Sequence, residues 1–111
     1  MRLDVTFRNL DASDKLRAYC ERRLQKVGRF LKDSAEAHVV LRVEKHREMA
    51  EVTITGVRGR NHVASAEAED LRSAIDAVSH KLEEAVRRAH DRRVRGQRAQ
   101  PTAVVAEQIA S

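Results

Sequence analysis

The chain has 111 residues, the size of one domain, with 22 Lys and Arg against 17 Asp and Glu and a formal net charge of +5. A single cysteine, Cys20, excludes an internal disulfide framework and a paired-cysteine zinc site; three aromatics (Phe7, Tyr19, Phe30) and no Trp exclude base stacking as the main binding device. No apolar run approaches the roughly 20 residues of a membrane span, and the amino terminus has no apolar signal segment, so a small, basic, soluble, cytoplasmic domain is expected.

Residues 2–8 alternate, with Leu3, Val5 and Phe7 on one side and Arg2, Asp4, Thr6 and Arg8 on the other, the pattern of a half-buried strand. Asp11 or Ser13 supplies the cap of a helix that follows. That helix is predicted over 15–32, because Leu16, Cys20, Leu24, Val27 and Leu31 recur at spacings of four and three. Residues 37–45 are rich in β-branched side chains and read as a second strand. A polar link at 46–48 and an alternating third strand at 49–57 come next. Two glycines in 56–61 mark a turn, and 62–66 is a short fourth strand. The second helix is predicted over 69–95, with Leu71, Ile75, Val78, Leu82, Val86 and Ala89 as its stripe and Gly96 as its stop. Residues 96–111 lack a sustained period and read as a flexible tail behind a 1–95 domain. The fold class is therefore α+β, ordered β-α-β-β-β-α, with two layers: a four-stranded sheet and two helices packed on one of its faces.

Charge is unevenly placed along this order. Residues 12–32 hold seven basic against two acidic side chains, and 81–98 hold seven against three, whereas the strand region 36–70 holds five against seven. Two helices side by side then present a basic layer, and the far side of the sheet is neutral to acidic. Such a polarised field suits a polyanion, and the predominance of Arg suits phosphate.

No other constellation carries chemistry. The five histidines lack any metal-binding spacing, Cys20 sits on an apolar stripe, and no nucleophile elbow, phosphate loop or dinucleotide fingerprint is present. The acids Glu67, Glu69 and Asp70 precede the second helix, where they favour its positive end. No enzyme, cofactor, metal or small-molecule substrate is expected.

The run Val39-Val40-Leu41-Arg42-Val43-Glu44-Lys45, then 64–71 (Ala-Ser-Ala-Glu-Ala-Glu-Asp-Leu), then Ala74-Ile75-Asp76 and Lys81-Leu82-Glu83, resembles the ribosome hibernation promoting factors. That family is also called ribosome-associated inhibitor A or sigma-54 modulation protein. The likeness covers about residues 1–95. It implies a binding protein in the groove between head and body of the small ribosomal subunit, covering the sites of messenger and transfer RNA. Contacts to ribosomal RNA are implied for basic residues of both helices: Arg17, Arg22, Arg23, Lys26 and Arg29 on the first, Lys81, Arg87, Arg88 and Arg92 on the second. Two positions depart from the family pattern: Arg72 stands where a Tyr is usual, and Glu84 where an Arg is frequent. The resemblance is to a short form of the family, and a monomer away from the ribosome is expected. The rival readings are a general binder of structured RNA and a protein-interaction regulator of transcription.

Overall fold

A computed structural model describes residues 1–31, 34–57 and 60–98 of the chain. The elements run β1 (Arg2–Arg8), α1 (Asp14–Gly28), β2 (Glu36–Glu44), β3 (Arg47–Val57), β4 (Arg60–Ala68) and α2 (Leu71–Arg98). The four strands form one sheet in the order β1-β2-β3-β4. β1 lies parallel to β2 after the α1 crossover, and β2, β3 and β4 form an antiparallel meander.

Strand alternation decides where the core lies. Ala37, Val39 and Leu41 of β2, Ala50, Val52 and Ile54 of β3, and Ala66 of β4 are buried on one side of the sheet. Both helices cover that side, α1 through Cys20, Leu24 and Val27, α2 through Leu71, Ala74, Ile75, Val78, Leu82 and Val86. The core holds no aromatic ring at full burial; Phe7, Tyr19 and Phe30 pack at its margin. The two-layer architecture is that expected from the sequence.

The ends of the elements differ from the sequence expectation, for local reasons. Ser13, not Asp11, caps α1, its Oγ accepting from the Leu16 amide at 3.2 Å. α1 stops at Gly28, not at 32. Phe30 and Leu31 continue as tight turns, donating to the carbonyls of Val27 and Gly28 at 3.1 Å, three residues back. The link between β2 and β3 is Lys45-His46, not 46–48, because Glu44 already pairs with Arg47 and Lys45 takes φ 54°. β4 spans 60–68 rather than 62–66. α2 begins after Asp70, whose carboxylate accepts from the Ser73 amide at 2.8 Å and the Ser73 hydroxyl at 3.1 Å. The helix then passes through Gly96 and reaches Arg98; one glycine costs a long helix about 1 kcal/mol, too little to stop it. The expected tail lies outside the described residues from 99 onward.

Gly56 is required at its position. Its φ is +89°, and a Cβ there would meet the Ser34 carbonyl oxygen at 3.2 Å. The β3–β4 register shifts just there, between Ile54 and Val57.

Candidate nucleic-acid interface

The two helices run side by side in the same direction. Tyr19 of α1 meets Asp76 of α2, and further along Phe30 meets His90, with ring centroids 5.6 Å apart. All nine cations expected to contact RNA stand on or beside these helices, on the covered side of the sheet. At 3.6 residues per turn they sort into separate strips.

On α1 the buried stripe of Cys20, Leu24 and Val27 faces the core. Lys15, Arg22, Lys26 and Arg29 recur opposite it at spacings of seven, four and three. All four are exposed, and they form the outer crest of the helix. Arg17 belongs elsewhere. Its guanidinium lies 5.7 Å over the Phe7 ring of β1 and 4.0 Å from Asp14, at the amino-terminal corner. Arg23 is half-buried and turned towards α2, its Nε 2.8 Å from Asp76 Oδ1 but off the axis of a good hydrogen bond.

On α2, Lys81 Nζ donates to the Ser65 carbonyl oxygen at 2.8 Å, so this flank of the helix borders β4. Arg88 and Arg92 follow Lys81 by seven and eleven residues and share its flank, both exposed. Arg87 follows Asp76 by eleven residues and falls on the side towards α1. Glu84, the acid that departs from the resembled pattern, is half-buried and reaches His80 at 3.5 Å. The basic layer is thus a crest on α1, a flank on α2, and a seam between them.

Sequence reasoning did not place Tyr19, Asp76 and Arg72 in that seam, where they meet Arg22. Arg72 stands 4.9 Å and Arg22 5.7 Å from the centroid of the Tyr19 ring. The Tyr19 hydroxyl donates to Asp76 Oδ1 at 2.5 Å, and this bond, with desolvation behind it, holds the phenol above its ordinary pKa. Residues 19 and 76 are 57 positions apart, and no local pattern pairs them.

The electrostatic contrast between the two faces lies in partners as well as in charge. Among the described residues, Arg22, Lys26, Arg29, Arg87, Arg88 and Arg92 have no carboxylate within 4.0 Å. On the open face of the sheet, Arg42 has Glu44 at 3.4 Å and Arg47 has Glu67 at 3.5 Å. The same face exposes Glu36 and Glu51, and Thr6 shares a 3.2 Å hydrogen bond with His38. The helix layer is left with unpaired positive charge, whereas the sheet face pairs part of its basic charge with its own acids and leaves Glu36 and Glu51 over. Among the described residues no group of three or more His, Cys, Asp or Glu side chains could hold a metal ion. No helix there is long and apolar enough to cross a membrane.

Comparison with known proteins adds a family to this geometry. The sequence pattern of the family described as Sigma 54 modulation protein / S30EA ribosomal protein matches residues 3–94. The chain is similar to the ribosome hibernation promoting factor of Azotobacter vinelandii, 30% identical over 100 residues, covering 90% of this chain and 92% of that relative. It is also similar to the protein of that name from Escherichia coli K12, 32% identical over 82 residues, covering 74% of this chain and 85% of that one. Among solved structures, the N-terminal domain of Thermus thermophilus Protein Y superposes with a TM-score of 0.72 at 29% identity, covering 79% of this chain and 98% of that domain. A ribosomal subunit interface protein from Coxiella burnetii gives a TM-score of 0.70 at 22% identity over 80% of this chain and 97% of that one, a likeness of fold.

Proposed function

The chain belongs to the Sigma 54 modulation protein / S30EA ribosomal protein family, and on that footing we propose that it binds the small ribosomal subunit through the cations of its helix layer and blocks messenger and transfer RNA. The family is one of ribosome hibernation factors, not of enzymes. The finer reading rests on one observation: among the described residues, Arg22, Lys26, Arg29, Arg87, Arg88 and Arg92 have no carboxylate within 4.0 Å, and all stand on the helix side of the sheet. Leaving so many like charges unpaired is unfavourable for the folded chain alone, and a polyanion relieves it.

The mechanism is steric. Each cation that meets a phosphate releases condensed counterions, which supplies affinity without reading base sequence. Selection among RNAs then falls to shape: strips fixed by helix packing fit only a surface whose phosphates lie at matching places. Once seated, the domain occupies volume that messenger and transfer RNA need, and translation stops with no bond made or broken. The working site is then cytoplasmic, with the free protein a monomer.

Sedimentation of the full chain with purified small and large subunits, over a series of salt concentrations, tests this. With about six phosphate contacts, the log–log slope of affinity against salt is expected near −4 to −5 for small subunits. Arg87→Glu, Arg88→Glu and Arg92→Glu together should abolish binding and leave the circular dichroism unchanged. Equal binding to large subunits, or equal competition by plain duplex RNA, overturns the assignment.

A further inference from the structure

The seam between the helices carries a device that the crest and the flank do not explain. Tyr19 rises from α1, yet its hydroxyl is tied to Asp76 of α2. Asp76 also meets Arg23 at 2.8 Å, through the same Oδ1 that accepts from the phenol, so one carboxylate oxygen ties both side chains. The phenol ring is therefore held at both ends, by its own helix and by the neighbouring one. Two guanidiniums lie over this fixed ring: Arg22 from α1 and Arg72 from α2. Both residues are exposed, and among the described residues neither has a carboxylate within 4.0 Å.

A guanidinium that stacks on a ring uses its π face for the ring and keeps its N–H donors at the edge. Stacking also restricts a long side chain before any ligand arrives, so less freedom is lost when one does. Two cations over one ring repel each other, and Asp76, the acid bonded to the ring's hydroxyl, also carries the Arg23 ion pair. An anion placed between the two guanidinium edges removes that repulsion and accepts donors from both helices at once. A phosphate has the charge and the planar sets of oxygens that guanidinium edges recognise.

We propose that Arg22, Tyr19 and Arg72 form a clamp for one RNA phosphodiester across the helix seam, with Asp76 acting through Tyr19 as its positioning residue. This rests on the reading that the helix layer meets ribosomal RNA, and it adds Arg72 and Tyr19 to the contacting set. It also gives Arg23 a different part from Arg22: Arg23 is the inner strut that holds Asp76, not a contact.

The test is the salt dependence of binding of the full chain to purified small subunits. Arg72→Gln is expected to make the log–log slope shallower by about 0.7 to 0.9, the share of one phosphate. Tyr19→Leu keeps every charge and is expected to weaken binding, whereas Tyr19→Phe, which keeps the platform and loses the tether to Asp76, should weaken it less. Melting temperatures of all variants separate loss of fold from loss of contact. If Arg72→Gln leaves the slope unchanged while Arg88→Gln makes it shallower, the clamp is refuted and the proposed function stands. If neither variant changes the slope, and the triple reversal at Arg87, Arg88 and Arg92 binds normally, both fall together. A slope reduced by Arg72→Gln but untouched affinity in a folded Tyr19→Leu variant overturns the ring's part in the clamp.

Discussion

Cys20 has none of its surface exposed, and burial pushes its thiol up to about 11, with the nearby Glu21 charge adding in the same direction. The unfolded chain gives up that proton near pH 8.5. Between those values the folded state keeps a proton that the unfolded state has lost, so stability falls as pH rises through the window and is fully present below it. Tyr19 acts with the same sign at higher pH, since its bond to Asp76 raises its pKa. Urea midpoints measured from about pH 8 to 10.5 are expected to drop, and Cys20→Ala should flatten the part of the drop that belongs to the thiol. A level profile, or alkylation of the folded chain at the rate of a free thiol, contradicts this. The burial of Cys20 was legible from its place in the Leu16–Leu24 spacing, because a helical period reports which face is covered. The tether of Tyr19 was not legible, because it joins residues 57 positions apart. Arg23 lies between these cases: one position before buried Leu24 and three after buried Cys20, it falls on the margin of the covered face, a signal that a count of charges passes over.

At the scale of elements, the hairpin between β2 and β3 turns on two residues, Lys45 and His46, with Glu44 opposite Arg47. Lys45 has φ 54°, a conformation in which a Cβ crowds the backbone. Two-residue hairpins place glycine or asparagine at such positions, and nothing in Glu-Lys-His-Arg announces the turn. Propensity therefore points to a link at 46–48, where it meets only a polar stretch, whereas register, a tertiary property, closes the turn at Lys45-His46. Lys45→Gly is expected to raise stability by about 1 kcal/mol, read as a melting temperature higher by a few degrees. A lower melting temperature would mean that the Lys45 side chain contributes more than its backbone costs. The order of elements, by contrast, was fully legible, because alternation in 2–8 and the four-and-three spacing of the helices each report a period that packing reinforces. Helix ends were less so. Leu31 prolongs the apolar stripe of α1 in sequence but sits in a tighter turn, and Gly96 lacks the force to end α2.

Over the whole molecule, placement of charge and amount of charge make different predictions. The open face of the sheet lies on the far side of the core from the helix crests, at least a helix diameter of about 10 to 12 Å away. That exceeds the Debye length of about 8 Å at physiological salt, so charges on the sheet face are largely hidden from a partner on the helices. Glu36 and Glu51 are exposed on that face, and neither has a basic partner within 4.0 Å among the described residues. Glu36→Lys with Glu51→Lys adds four charges to the formal +5. If net charge drove binding to ribosomes, these changes would strengthen wild-type binding and restore much of what the Arg87, Arg88 and Arg92 reversal removes. If the strips are matched to a folded RNA surface, they should leave wild-type affinity near its starting value at 0.15 M salt and fail to rescue the reversal. Sedimentation of the four proteins (wild type, sheet-face double, helix triple and their combination) with small subunits decides between the two. Rescue in the combined variant would turn the protein into a general polyanion binder whose helices matter only as carriers of charge.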